Sequence, residues 1–146
     1  APYWNSYTRG TIVGLTRGVN KAHICRAALD AIAFQVKDEI ECMKDDAQID
    51  IPVLKVDGGV SVSDLMLQFQ SDILGIPVCR PKNVETTITG AAFLAGLAVG
   101  FWNSKDEILA QWEKDKTFNP SMKEEEKATL YSRWQKAIEC AMSWKE

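Results

Sequence analysis

Histidine is nearly missing from this 146-residue chain, with His23 alone, and its four cysteines (Cys25, Cys42, Cys79 and Cys140) form no Cys-x-x-Cys pair. That scarcity leaves no ligand cluster for a structural zinc ion. Cys25 and Cys42 share a predicted helix, where about 1.5 Å of rise per residue separates them by roughly 25 Å, too far to bridge. Reduced thiols in a cytoplasmic protein are the expectation. Excess positive charge is also lacking: 17 Lys and Arg against 20 Asp and Glu give a net charge of −3. No basic stripe runs along a predicted helix face, so nucleic acid is not an expected partner. Long apolar runs are missing as well. The stretch over residues 91–102 is too short and too glycine-rich to cross a bilayer, and Ala1-Pro2-Tyr3-Trp4 does not open a signal peptide.

What is present is an ordinary globular composition, 46% hydrophobic and 25% charged, at a length that fits one domain. Residues 11–15, β-branched and bounded by Gly10 and Gly14, predict a strand. Asn20 is a good N-cap for a long helix to about Met43, with Cys25, Ala28, Leu29, Ile32, Val36, Ile40 and Met43 as its apolar stripe. His23 in the first turn fits a packing or hydrogen-bonding role. A strand over 53–57 leads into Asp57-Gly58-Gly59, and Ser61 or Ser63 can cap the next helix. Leu65, Met66, Phe69, Ile73 and Leu74 form that helix's core face, and Gly75 ends it. Residues 76–79 predict a short strand, with Pro77 favouring an edge or a strand start.

A helix of small residues follows through Gly90-Ala91-Ala92 to Gly100, suited to tight packing. A short amphipathic helix over 106–112 comes next, then a polar connection over 114–120. Ser121 and Glu124 have capping-box spacing before a terminal helix, assigned to 121–146, with Leu130, Trp134, Ala137, Ile138 and Ala141 as its apolar face. Alternating strands and helices imply an α/β layered domain with parallel pairing. In such sheets ligands gather beyond the carboxyl ends of strands, where Asp57-Gly58-Gly59 falls. Glycines let the backbone turn there and let a ligand approach, and the following helix turns its positive end toward the same corner.

Gly10-Thr11-Ile12-Val13-Gly14-Leu15, followed after seven residues by His23-Ile24-Cys25-Arg26-Ala27-Ala28-Leu29-Asp30, resembles a signature of the FGGY carbohydrate kinases. Val56-Asp57-Gly58-Gly59, the segment from Leu65 to Gly75, that from Gly90 to Trp102, and Tyr131-x-x-Trp134 resemble the members that act on glycerol. The resemblance runs through essentially the whole chain. It implies part of an actin-like ATPase (ribonuclease H-like) domain, the C-terminal nucleotide-binding portion of such a kinase over residues 1–146. It further implies ATP and Mg²⁺ as cofactors, phosphoryl transfer to glycerol giving sn-glycerol 3-phosphate, and an N-terminal kinase domain as partner. A homo-oligomer is implied as well.

On the residues here, the resemblance makes Gly58, Gly59 and Ser63 the adenosine-side loop, with Asp57 supporting it or approaching the metal-phosphate region from a distance. No catalytic residue and no metal ligand falls within the chain, so the chain alone is expected to be inactive. Ser63 departs from the family's usual asparagine, exchanging a donor and an acceptor for one short hydroxyl. Two other expectations stay open: another FGGY kinase with a longer sugar or polyol substrate, and a non-catalytic interaction module whose terminal helix docks a partner through Trp134 and Trp144.

Overall fold

The computed structural model describes residues 2–143, so Trp144 lies outside the described residues. Five helices and three short strands follow in the order α1 (Lys21–Ala47), β1 (Leu54–Lys55), α2 (Asp64–Leu74), β2 (Val78–Pro81), α3 (Thr86–Ala98), α4 (Lys105–Leu109), β3 (Lys114–Phe118) and α5 (Glu124–Met142). A 3-10 turn over Gly59–Val62 joins β1 to α2. The sheet order is β1-β2-β3, with β1 parallel to β2 and β3 antiparallel to it. The class is α/β as expected; the expected parallel pairing joins β1 to β2, and β3 adds an antiparallel edge.

Helix α1 starts on a reciprocal capping box. The Asn20 side chain accepts from the Ala22 and His23 N–H groups at 3.0 and 3.3 Å, and His23 Nδ1 accepts from the Asn20 N–H at 3.2 Å. The lone histidine is therefore a cap, which satisfies donors that the helix itself cannot. Its apolar stripe is only partly used. Of that stripe only Ile40 is buried, Leu29 and Val36 are half-buried, and Cys25, Ala28, Ile32 and Met43 are exposed; Ala33 and Phe34, outside it, are buried instead. The first two turns of α1 are exposed, with Arg26 alone among their described side chains reaching over the Phe69 ring, at 5.2 Å.

Two corrections concern strands. Residues 11–15 form no strand and stay exposed, because a strand needs a partner ladder and no described segment pairs with this one. Conversely, the expected polar connection over 114–120 contains β3, which pairs Phe118 with Val78 and Thr117 with Cys79. Its lysines suit an edge strand, where charge blocks further pairing. Pro77 stands just before β2, and β2 is the central strand, so the proline marks a strand start and not an edge.

The core sits between α1, α2, the sheet and α5. One cluster holds Ile40, Met66, Leu67, Leu74, Val78 and Phe118; the other holds Ala33, Phe34, Phe69 and Ile73, with Leu130, Tyr131 and Trp134 packed on it. Phe34 stacks on Trp134 at 5.3 Å and meets Phe69 edge-on at 5.5 Å. Burying a side chain such as Leu67 contributes about 2 kcal/mol. Two carboxylates fix the terminal helix. Asp38 of α1 accepts from the Tyr131 hydroxyl and the Trp134 indole N–H, both at 2.7 Å. Asp72 of α2 accepts from the Ser121 and Met122 N–H groups at 2.6 and 3.1 Å. Ser121 thus serves Asp72 and caps nothing: α5 begins one turn later, with Lys123 at its N-cap and no side-chain cap.

Helix α3 departs most from expectation. Only Gly96 is buried, under the Trp102 ring, while Ile88, Leu94 and Val99 stand exposed. Ala91, Ala92, Ala95 and Ala98 are exposed as well, so the tight packing expected of its small residues is confined to Gly96. Leu65, expected in the core of α2, is also exposed.

Candidate nucleotide site at the glycine corner

The corner begins where β1 ends. The Val56 N–H donates to the Cys79 carbonyl at 3.1 Å, and the Gly58 N–H donates to the Val84 carbonyl at 2.9 Å, so the chain stays tied to the segment after β2 as it turns. Gly58 has φ 81° and ψ 174°, a conformation essentially reserved for glycine. Gly59 differs. Its φ is not in the left-handed region, and a Cβ built on it would meet only open space. The fold thus requires a glycine at 58 and makes no such demand at 59, where the missing side chain leaves the backbone open to an approaching molecule.

Past the glycines, Ser61 closes the turn. It is buried, and both its N–H and its hydroxyl donate to the Gly58 carbonyl, at 3.0 and 2.6 Å. Ser63 caps α2 as expected, accepting from the Met66 N–H at 3.3 Å through its hydroxyl oxygen. The first turn of α2 therefore points its N–H groups and positive end at the corner. Gly58, Gly59 and Ser63 lie together within this one turn.

Asp57 stands apart from that network. It is exposed and lines a cavity of about 240 Å³ with Lys55, Val56, Pro81, Thr86 and Trp112. Among the described residues it accepts none of the hydrogen bonds that hold the loop; Ser61 does that work from inside the turn. A neighbouring cavity of about 530 Å³ runs from Pro81 and Asn83 along α3 to Phe93 and Trp112, and the Lys55 ammonium lies 4.5 Å from the centre of the Trp112 ring. Sequence reasoning named Ser61 only as a possible helix cap. Its true signal was its position two residues beyond the glycine pair, where a hydroxyl can reach back to a turn carbonyl.

The family model for the C-terminal domain of the FGGY family of carbohydrate kinases matches residues 1–99. The chain belongs to this family. Over all 146 residues it is 56% identical to the glycerol kinases of Deinococcus radiodurans and of Thermoanaerobacter sp. strain X514, and it spans 29% of the length of each. Among solved structures, 99% of the FGGY chain superimposes on Plasmodium falciparum glycerol kinase with ADP at 35% identity and a TM-score of 0.83, again over 29% of that protein. It is also similar to gluconate kinase from Lactobacillus acidophilus, at 27% identity over 96% of this chain and 28% of that one, with a TM-score of 0.69. The FGGY C-terminal domain expected from the sequence is thus the fold observed, and its α/β character and the glycerol kinase resemblance stand with it.

Proposed function

We propose that this chain is the adenosine-side portion of an ATP-dependent glycerol kinase, with Gly58, Gly59 and Ser63 as one wall of its nucleotide site. The observation that carries the proposal is Gly59: a glycine the fold does not require, at the carboxyl end of a parallel strand and before a helix N-terminus. The solved relative that the chain superimposes on best among those given above is a glycerol kinase with ADP. ATP supplies the phosphoryl group that passes to glycerol, giving sn-glycerol 3-phosphate. The described residues do the rest of what is assigned to them by position. The open backbone at Gly59 admits the nucleoside, the α2 N-terminus favours its negative end, and Ser63 keeps a hydroxyl proton to donate while its oxygen caps the helix.

Mg²⁺, glycerol and the general base belong with the portion of the protein supplied by an N-terminal kinase domain. Among the described residues no group of three His, Cys, Asp or Glu side chains gathers to hold a metal ion. Asp57, loop-adjacent and exposed, lends negative charge near the corner without bonding to it. A cytoplasmic homo-oligomer completes the proposal. No described helix is long and apolar enough to cross a membrane.

The test uses the full-length protein. Gly59→Ala should leave the thermal midpoint unchanged and raise the ATP KM about tenfold, the equivalent of 1.4 kcal/mol, with the glycerol KM unmoved. Gly58→Ala should destabilise the fold by about 1–3 kcal/mol through strain. The 146-residue chain alone should phosphorylate no glycerol. An ATP KM indifferent to Gly59→Ala would remove the loop from the nucleotide site. Turnover by the isolated chain would overturn the division of labour. The substrate separates this proposal from that of a kinase for a longer sugar; the 56% identity to glycerol kinases, against 27% to gluconate kinase, favours glycerol.

A further inference from the structure

We infer that Arg80, on the central strand, is the positioning residue that sets the 58–64 turn for its nucleotide; the inference rests on the proposed role of that turn. The Arg80 guanidinium reaches three elements at once. Nη1 donates to the Ser61 carbonyl at 2.9 Å and lies 2.9 Å from Asp64 Oδ1, while Nε and Nη2 both meet Asp115 Oδ2 at 2.7 Å. Ser61 is the residue that closes the turn, Asp64 is the first residue of α2, and Asp115 belongs to β3. The remaining Asp64 oxygen accepts from Lys116 Nζ at 2.7 Å. Arg80 and Lys116 therefore balance Asp64 and Asp115 in charge.

Geometry makes arginine the residue suited to this place. A guanidinium presents its donors in a fixed planar fork, so it can hold a carbonyl, a helix-start carboxylate and a strand carboxylate in one arrangement. A lysine ammonium is a point charge on a flexible stem. The Arg80 side chain is only 13% exposed, lies over the Phe118 ring at 5.5 Å, and so is itself held in place. Its contact with Ser61 is to a backbone carbonyl, which ties the turn a second time beside the Gly58–Val84 bond. Charge agrees with geometry: hydrogen bonding from Lys116 first, and then from Arg80, holds the Asp64 carboxyl below the ordinary range.

Four variants of the full-length protein decide the matter: Arg80→Gln, Arg80→Lys, Asp115→Asn and Gly59→Ala. Arg80→Gln should raise the ATP KM about tenfold, the equivalent of about 1.4 kcal/mol, with the glycerol KM unchanged. Arg80→Lys should restore only part of that loss. Asp115→Asn, at an exposed carboxylate that bonds Arg80 and none of the proposed ligand residues, should move the ATP KM the same way by less. Should Arg80→Gln fail to fold, the lysine and Asp115 variants carry the test. An unchanged ATP KM in folded Arg80 and Asp115 variants, beside a raised one in Gly59→Ala, overturns the role of Arg80 and leaves the loop's role standing. An unchanged ATP KM in all four overturns both. Parallel rises in both KM values, tracking lost thermal stability, reduce Arg80 to a structural tie.

Discussion

The half of the molecule built from α1, α2, the sheet and α5 encloses two hydrophobic clusters, whereas α3 and α4 enclose none. Each half holds one markedly apolar helix, α2 in the first and α3 in the second. The difference is what each finds to lie against. Helix α2 has α1, α5 and the sheet around it, and eight of its eleven residues are buried. Helix α3 is richer in apolar residues and buries one. A chain that spans 29% of its curated relatives can complete some packing surfaces internally and leave others bare. Apolar content therefore marks a surface meant to be covered, and only the structure tells whether the cover is in the same segment.

Two leucines test this contrast with the largest expected effect. Leu67 is buried to 1% exposure and Leu94 is 70% exposed. In this chain, Leu67→Ala should cost about 2–5 kcal/mol by the loss of burial plus the cavity left behind. Leu94→Ala should stay within about 0.5 kcal/mol, as exposed substitutions do. Urea denaturation of both variants reads the gap. In the full-length protein the gap should narrow as Leu94 gains a cover. Equal costs in the isolated chain would erase the contrast between the halves.

The next test strikes the hold of the packed half on α5. Asp38 is buried and accepts two short bonds from that helix, so Asp38→Asn replaces one acceptor oxygen by a donor facing a donor. The expected loss is about 1.5–3 kcal/mol, the range for hydrogen bonds to a charged group, with hydrogen exchange quickening first along α5. The same contact has an alkaline signature. Burial, and then the bond to Asp38, raise the Tyr131 hydroxyl well above its ordinary value. Above about pH 10 the unfolded chain releases this proton while the folded one retains it, so the unfolded state binds fewer protons and stability falls as pH rises. Below that pH the contribution is fully present. Tyr131→Phe should flatten the alkaline slope, leaving the part due to Tyr3, whose hydroxyl is raised by its own burial and by Asp38.

What the sequence showed and what it hid follow the same division between local and distant partners. The Asn20 cap, the Gly75 terminus with φ 74°, the Ser63 cap and the glycine corner were all legible, because each depends on residues within a turn of one another. The strand expected over 11–15 was not formed, since β-branching makes a segment suited to pairing without supplying the pair. Strand β3 was hidden for the opposite reason: Lys114-Asp115-Lys116 looks like a solvated connection, and only pairing with β2 makes it a strand. Asp38 was hidden in another way, as a charge on a helix face judged by apolar periodicity. Its partners, Tyr131 and Trp134, stand 93 and 96 residues away. Arg80 was silent as well, because the three elements it joins meet only in the fold. The candidate glycines could be named from sequence, but the separate demands at Gly58 and Gly59 needed backbone angles and the space around them.

The smallest effect is also the one whose sign carries the comparison. Gly90 lies inside α3, and a Cβ there would meet nothing within 4 Å. An interior helical glycine costs about 0.5–1 kcal/mol relative to alanine, so Gly90→Ala should stabilise α3 in the isolated chain by about that amount. Gly96 is the internal control, because its Cβ would fall 2.5 Å from the Trp102 ring and force that contact apart. In the full-length protein, a cover lying close against the small residues of α3 would leave no room at position 90 either. Gly90→Ala should then turn from stabilising to destabilising, and circular dichroism melts of the two forms compare the signs directly. A stabilising effect in both would mean that nothing approaches this face of α3 closely. The uncovered half would then be uncovered in the whole protein too.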